Sequence, residues 1–196
     1  MAFRRPFVAV ISAALMALPG VGWAQAGPVD APVDLIALLD RVCVAAQGDR
    51  ARAAALAAEA GFSPVPDSFR PRLRNSSEVA AFMRTNTADM TVIMTGKMTR
   101  RLGRERAVLE FCGVSARPTD HRALDARLRT AMGFPPVRDS SMDAYAWLQT
   151  PEGRAPARSL SQPQFLSMAA TGQMRMVGLE RSGPGSTLIY FLPRLD

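Results

Sequence analysis

Apolar residues at Leu35, Leu39, Val42 and Ala46, with Ile36 and Cys43 beside them, recur at helical spacing and predict an amphipathic helix over 34–47. Gly48 ends it, and Asp49 stands where a cap would start a second, alanine-rich helix running to Ala60. Gly61 supplies a left-handed stop, and Phe62 is placed to fold back on Leu56 and Ala57, so the pair reads as a helical hairpin with a very short turn. After a Pro- and Arg-containing loop over 63–74, Ser76 or Ser77 can cap a short helix over 78–84 with Val79, Phe82 and Met83.

The period then changes from helical to alternating. Met90, Val92, Met94 and Met98 fall on one face of a strand over 89–98, and 107–114 predicts a second strand that holds Cys112. Between them lies a segment with Gly103 and four arginines, read as the exposed tip of a hairpin. A helix follows from Asp120 to Met132, with Leu124, Leu128 and Ala131 inward and Gly133 as its stop. Tyr145 and Trp147 mark a strand over 143–149, residues 151–157 read as a turn or loop, and 161–171 forms a helix with Pro163 in its first turn. Strands over 174–180 and 187–192, joined by a turn over 182–186, close the chain. Hairpins at both ends imply an α+β fold with a largely antiparallel sheet of about five strands and helices packed on one face.

The first 26 residues stand apart from this pattern. Arg4 and Arg5, an apolar run from Phe7 to Leu18 and the small-residue triplet Ala24-Gln25-Ala26 have the order of an export signal, cut after Ala26 or, as the near alternative, after Ala24. The Arg4-Arg5 pair also leaves the twin-arginine route open beside the general secretory one. No stretch has the ~18 apolar residues that a membrane-spanning helix needs. Residues 27–196 are therefore expected to form a single periplasmic or secreted domain, with no transmembrane segment once the signal is removed.

Two cysteines in an exported chain favour a Cys43–Cys112 disulfide, with two separate buried thiols as the alternative. Charge changes the picture less than its sign suggests. Without residues 1–26 the chain has 22 basic and 17 acidic residues, a net +5, and all but Lys97 of the basic side chains are arginine.

Val42-Cys43, the alanine helix closing on Ala60-Gly61-Phe62, and Phe111-Cys112 together resemble a set of small exported bacterial proteins of uncharacterised function. Those proteins have a first-helix cysteine, a Gly-aromatic helix stop and a second cysteine in a strand. The resemblance implies export and a disulfide and brings no catalytic residue with it.

Several chemistries lack their parts. His121, the single histidine, sits in a predicted first helical turn and reads as a solvated surface residue. Gly113-Val114-Ser115-Ala116-Arg117 lacks the closing glycine of a nucleophile elbow. Lys97 follows Gly96 without a P-loop pattern, and one His with two Cys falls short of a zinc set. Met90, Met94, Met98, Met174 and Met176 are weighed as copper(I) thioethers against flexible core filler, and the core reading is preferred, so no metal and no cofactor is expected.

Two basic groups remain. Arg70, Arg72 and Arg74 lie in a loop, and Arg100, Arg101, Arg104 and Arg106 lie at the hairpin tip, where they suit an anionic surface or an acidic envelope partner. With no aromatic residues among these arginines, nucleic acid is not the expected partner. The reading is a binding or interaction module of the cell envelope. The alternative is a hydrolase whose carboxylate site would come from Glu105, Glu110, Asp120, Asp125, Asp139 or Asp143.

Overall fold

The computed structural model describes residues 32–66, 68, 76–102, 105–138, 142–157 and 161–195. The proposed signal segment, the arginines at 70, 72 and 74, Arg104 and Asp139 lie outside them.

The Asp34 carboxylate accepts the Ile36 and Ala37 N–H groups (3.0 and 3.2 Å) and starts α1, Leu35–Leu38. That helix widens at once into a π-helical segment, Leu39–Val44, which holds Cys43 fully buried. Gln47 and Gly48, both left-handed, reverse the chain into α2, Arg50–Glu59, whose cap is Asp49 accepting the Arg52 N–H at 3.0 Å. The Phe62 N–H closes on the Ala57 carbonyl at 3.0 Å. The helical hairpin therefore forms where the pattern placed it. Its second helix is mostly alanine because its buried residues, Ala53 and Ala57, press flat against the sheet side of the core.

The sheet departs from the expectation. The strands are β1 (Ser63–Pro64), β2 (Ser76–Thr85), β3 (Met90–Leu102), β4 (Glu105–Arg117), β5 (Val137–Arg138), β6 (Asp143–Thr150), β7 (Gly153–Pro156), β8 (Met174–Ser182) and β9 (Gly185–Leu195). All pair antiparallel in one sheet, ordered β1-β2-β3-β4-β9-β8-β6-β5, with β7 beside β6. The forecast of about five strands with helices gathered on one face is thus corrected to a nine-stranded sheet among the described residues, crossed by a few short helices.

Three local causes account for the difference. Residues 78–84 show helical spacing but form β2, because eight register pairs with β3 outweigh a weak local preference. A bulge between Ser77 and Ala80, with Glu78 at φ 56°, breaks the two-residue alternation and imitates a helical period. Residues 153–156, read as a loop, pair with 147–150 as an edge strand that carries Pro156. The strands also run further than their apolar cores, so β3 reaches Leu102, β4 begins at Glu105, and the β8–β9 turn shrinks to Gly183-Pro184.

α1, the π-helical segment, α2 and α3 (His121–Met132) pack on the sheet face that presents Ile93, Cys112, Val114, Tyr145, Val177, Leu188 and Tyr190. In α3 the buried residues are Leu124, Leu128 and Met132, and Ala131 is exposed, one position away from the expected stripe. The other face is not bare. Gly96, Phe111, Phe191, Met176 and Ala146 form one transverse row by register, and Phe111, Phe191 and Leu109 are buried there with Met94, Met98 and Ile189 around them. α4 (Gln162–Ala170) crosses this second face, bringing Met168 against the cluster of Ala146, Ala157 and Met174. The glycine in that row is required by a close approach: a Cβ on Gly96 would sit 2.9 Å from the Phe111 ring.

Candidate interaction surface

Cys43 and Cys112 are joined in a disulfide, with Cα atoms 5.3 Å apart. It ties the π-helical segment to the middle of β4, and so holds the helical corner on the sheet. Among the described residues, no helix is long and apolar enough to cross a membrane.

The sheet register decides which charged residues meet. On β4, Cys112, Glu110, Val108 and Arg106 alternate onto the face that carries the helices. Lys97 stands opposite Glu110, Arg194 opposite Val108, and Arg101 opposite Arg106. Two strands along, Arg175 lies on the same face beside Trp147. These positions lie beside the turn at Gln47 and Gly48, at the end of the sheet where β3 and β4 run furthest: among the described residues β2 pairs with β3 only as far as Met98, and β9 with β4 only as far as Ala107. The two-stranded ribbon described is therefore two rungs long, Arg101 opposite Arg106 and Leu102 opposite Glu105.

Acids neutralise part of this surface. Glu78, at the bulge, pairs with Arg50 and with Lys97 (3.3 Å), and its carbonyl accepts Arg50 Nη1 at 3.2 Å. Glu110 meets Arg194 at 3.5 Å. Arg175 donates to Gln47 Oε1 (3.3 Å) and to the Gly172 carbonyl (2.6 Å), which fixes it without cancelling its charge. Arg106 is exposed, with no ion-pair partner among the described residues. Five cationic side chains (Arg50, Lys97, Arg106, Arg175, Arg194) thus face Glu78, Glu110 and the helix-capping Asp49, a surplus of +2.

The hairpin expected between the two strands is present, with its strands running closer to the turn than the sequence suggests. Arg100, Arg101 and Arg106 are strand residues, and Arg100 falls on the opposite face from Arg101. Arg50, Lys97, Arg175 and Arg194 were missed. They are scattered over 145 residues of chain, and the register alone assembles them.

The other candidates resolve into structural roles. His121 is half-buried rather than solvated, and its Nδ1 lies 3.1 Å from Ser186 Oγ. Ser186 is fully buried and Asp120 accepts the Arg122 and Ala123 N–H groups, so the contact ties α3 to β9 with no acid behind the ring. Asp125 and Asp143 both meet Arg129, at 3.0 and 3.5 Å. Both carboxylates are thus engaged by one guanidinium, which ties α3 to β6. Beside them the Tyr145 hydroxyl is buried without a partner. Burial pushes its pKa up to about 12, Arg129 opposes the shift, and Asp125 and Asp143 add to it.

A cleft of about 540 Å3 between α1 and α3 is lined by two acids, Asp89 and Asp120. Asp89, not among the sequence candidates, is buried and accepts the Val33 N–H and the Thr91 hydroxyl, both at 2.8 Å. It pins the start of the described chain. Met94 and Met98 share a sheet face with Met174 and Met176, but β4 and β9 separate the two pairs by about 14 Å, and Phe111 and Phe191 fill the gap. No group of three His, Cys, Asp or Glu among the described residues is placed to hold a metal. Compared with known protein families, characterised proteins and solved structures, the chain matches none.

Proposed function

We propose that this protein is an exported, disulfide-stapled binding module of the cell envelope that meets an anionic partner through the basic end of its sheet. One observation carries the reading: the register gathers Lys97, Arg101, Arg106, Arg175 and Arg194 on one end of one face, where three acids leave a positive surplus. The signal-like first 26 residues and the disulfide support a periplasmic or secreted location, as does the resemblance to exported two-cysteine proteins.

The surface is broad and carried by strands, and two clefts of about 470 and 540 Å3 lie elsewhere, against α1 and α3. That arrangement suits a distributed anionic partner better than a small molecule held in a pocket.

Retention on polyphosphate-coupled and uncoupled beads tests the reading. The wild type should be held at low salt and released as salt rises. Arg106→Gln with Arg194→Gln should elute earlier than Arg122→Gln with Arg181→Gln, which removes the same charge from exposed arginines at the other end of the fold. Equal elution of the two pairs would show that net charge, not this surface, is responsible, and the reading would fall.

A further inference from the structure

We infer that the basic end of the sheet docks on a bilayer surface rich in anionic phospholipid headgroups, an inference that rests on the anionic-partner reading above. The geometry points to this partner in three ways. The cationic positions spread over β3, β4, β9 and β8, about 14 Å across the strands, and over four residues along them, about 13 Å. A patch of that extent matches laterally mobile charges in a plane, whereas a single bound anion needs donors converging on one point. The guanidinium fork, present at every position except Lys97, engages phosphate oxygens two at a time.

The ribbon supplies the second argument. Among the described residues it runs two rungs beyond the pairing of β4 with β9 and further beyond that of β2 with β3, and Leu102, opposite Glu105, is its last described position on β3. An end that leads the rest of the sheet can reach a flat surface before the body of the protein does, and it brings Arg101 and Arg106 with it.

The third argument separates lipid from nucleic acid. Trp147 and Tyr190, the aromatic residues nearest the patch among the described residues, are buried in the core, so the described surface offers no ring on which a base could stack.

The test is co-sedimentation of the exported protein, purified from the extracytoplasmic fraction, with vesicles of phosphatidylcholine alone and of phosphatidylcholine mixed with phosphatidylglycerol. Binding should require phosphatidylglycerol and fade as salt shortens the screening length from ~30 Å at 0.01 M to ~8 Å at 0.15 M. Each basic side chain near an anionic surface contributes about fivefold, so Arg106→Gln with Arg194→Gln should lower partitioning about thirtyfold at low salt. The control pair Arg122→Gln with Arg181→Gln, both exposed, should stay within about threefold of wild type. Thermal melts of all three proteins check that folding is unchanged. If vesicles fail while polyphosphate beads retain the wild type in an Arg106- and Arg194-dependent way, the lipid inference is wrong and the anionic-partner reading survives. If neither probe binds, both are wrong.

Discussion

The disulfide offers the cleanest perturbation, because reduction changes one bond and no residue. Cys43 and Cys112 are 69 residues apart in sequence, so the bridge closes a loop spanning more than a third of the chain. On the chain-entropy account, a loop of that length constrains the unfolded state by about 4 kcal/mol. A protein of this size has a urea m-value of about 2 kcal/mol/M, so reduction should lower the unfolding midpoint by about 2 M. The reduced unfolded chain is also more expanded, so m should rise slightly. The assay is urea unfolding followed by far-ultraviolet circular dichroism, with and without a phosphine reductant, and with thiol counting after each equilibration. Cys43→Ala with Cys112→Ala should lose the same amount plus about 1–2 kcal/mol, because both sulfurs are buried and their contacts go with them. A midpoint that stays put once both thiols are shown to be reduced would refute the argument. Full labelling of both cysteines in the untreated native protein would refute the bridge itself.

Four further outcomes are expected. Gly96→Ala should cost about 1–3 kcal/mol in the same unfolding assay, because its Cβ meets the Phe111 ring at 2.9 Å and the Ser77 carbonyl at 3.2 Å; Gly178→Ala should cost less, since the obstruction there is the mobile end of Met142. Tyr145→Phe should leave stability unchanged or raise it by up to about 1 kcal/mol, because the buried hydroxyl has no partner to lose. Burial raises both Tyr145 and Tyr190, the chain's two tyrosines, so the folded state holds their protons more tightly than the unfolded state does. That contribution is intact below pH 10 and is lost as pH climbs from 10 toward 12, where tyrosinate absorbance should appear together with unfolding. Finally, N-terminal sequencing of the exported protein should read Gly27 first; an intact Met1 in that fraction would end the export-signal reading.

The sequence by itself determined the elements whose signals are local. Asp34, Asp49 and Asp120 start helices because a short carboxylate reaches the N–H groups two and three residues ahead. Gly61 and Gly133 stop them because they take the left-handed conformation without strain, and a lone pair of cysteines has a single pairing. Only the tertiary structure decided the rest. Whether residues 78–84 coil or extend depends on an edge of β3 that the local pattern does not contain, and Glu78 in a bulge disguises the alternation. The strand count rose because β1, β5 and β7, at two to four residues each, are too short to show a period and exist through their partners. The basic surface was half legible: Arg101 and Arg106 lie close in the chain and belong to the arginine group the sequence marks, whereas Arg100 beside them takes the other face. Arg50, Lys97, Arg175 and Arg194 join them through side-chain alternation and strand order, which are set by which strands pair and in what register, a choice made by burial of the core between them.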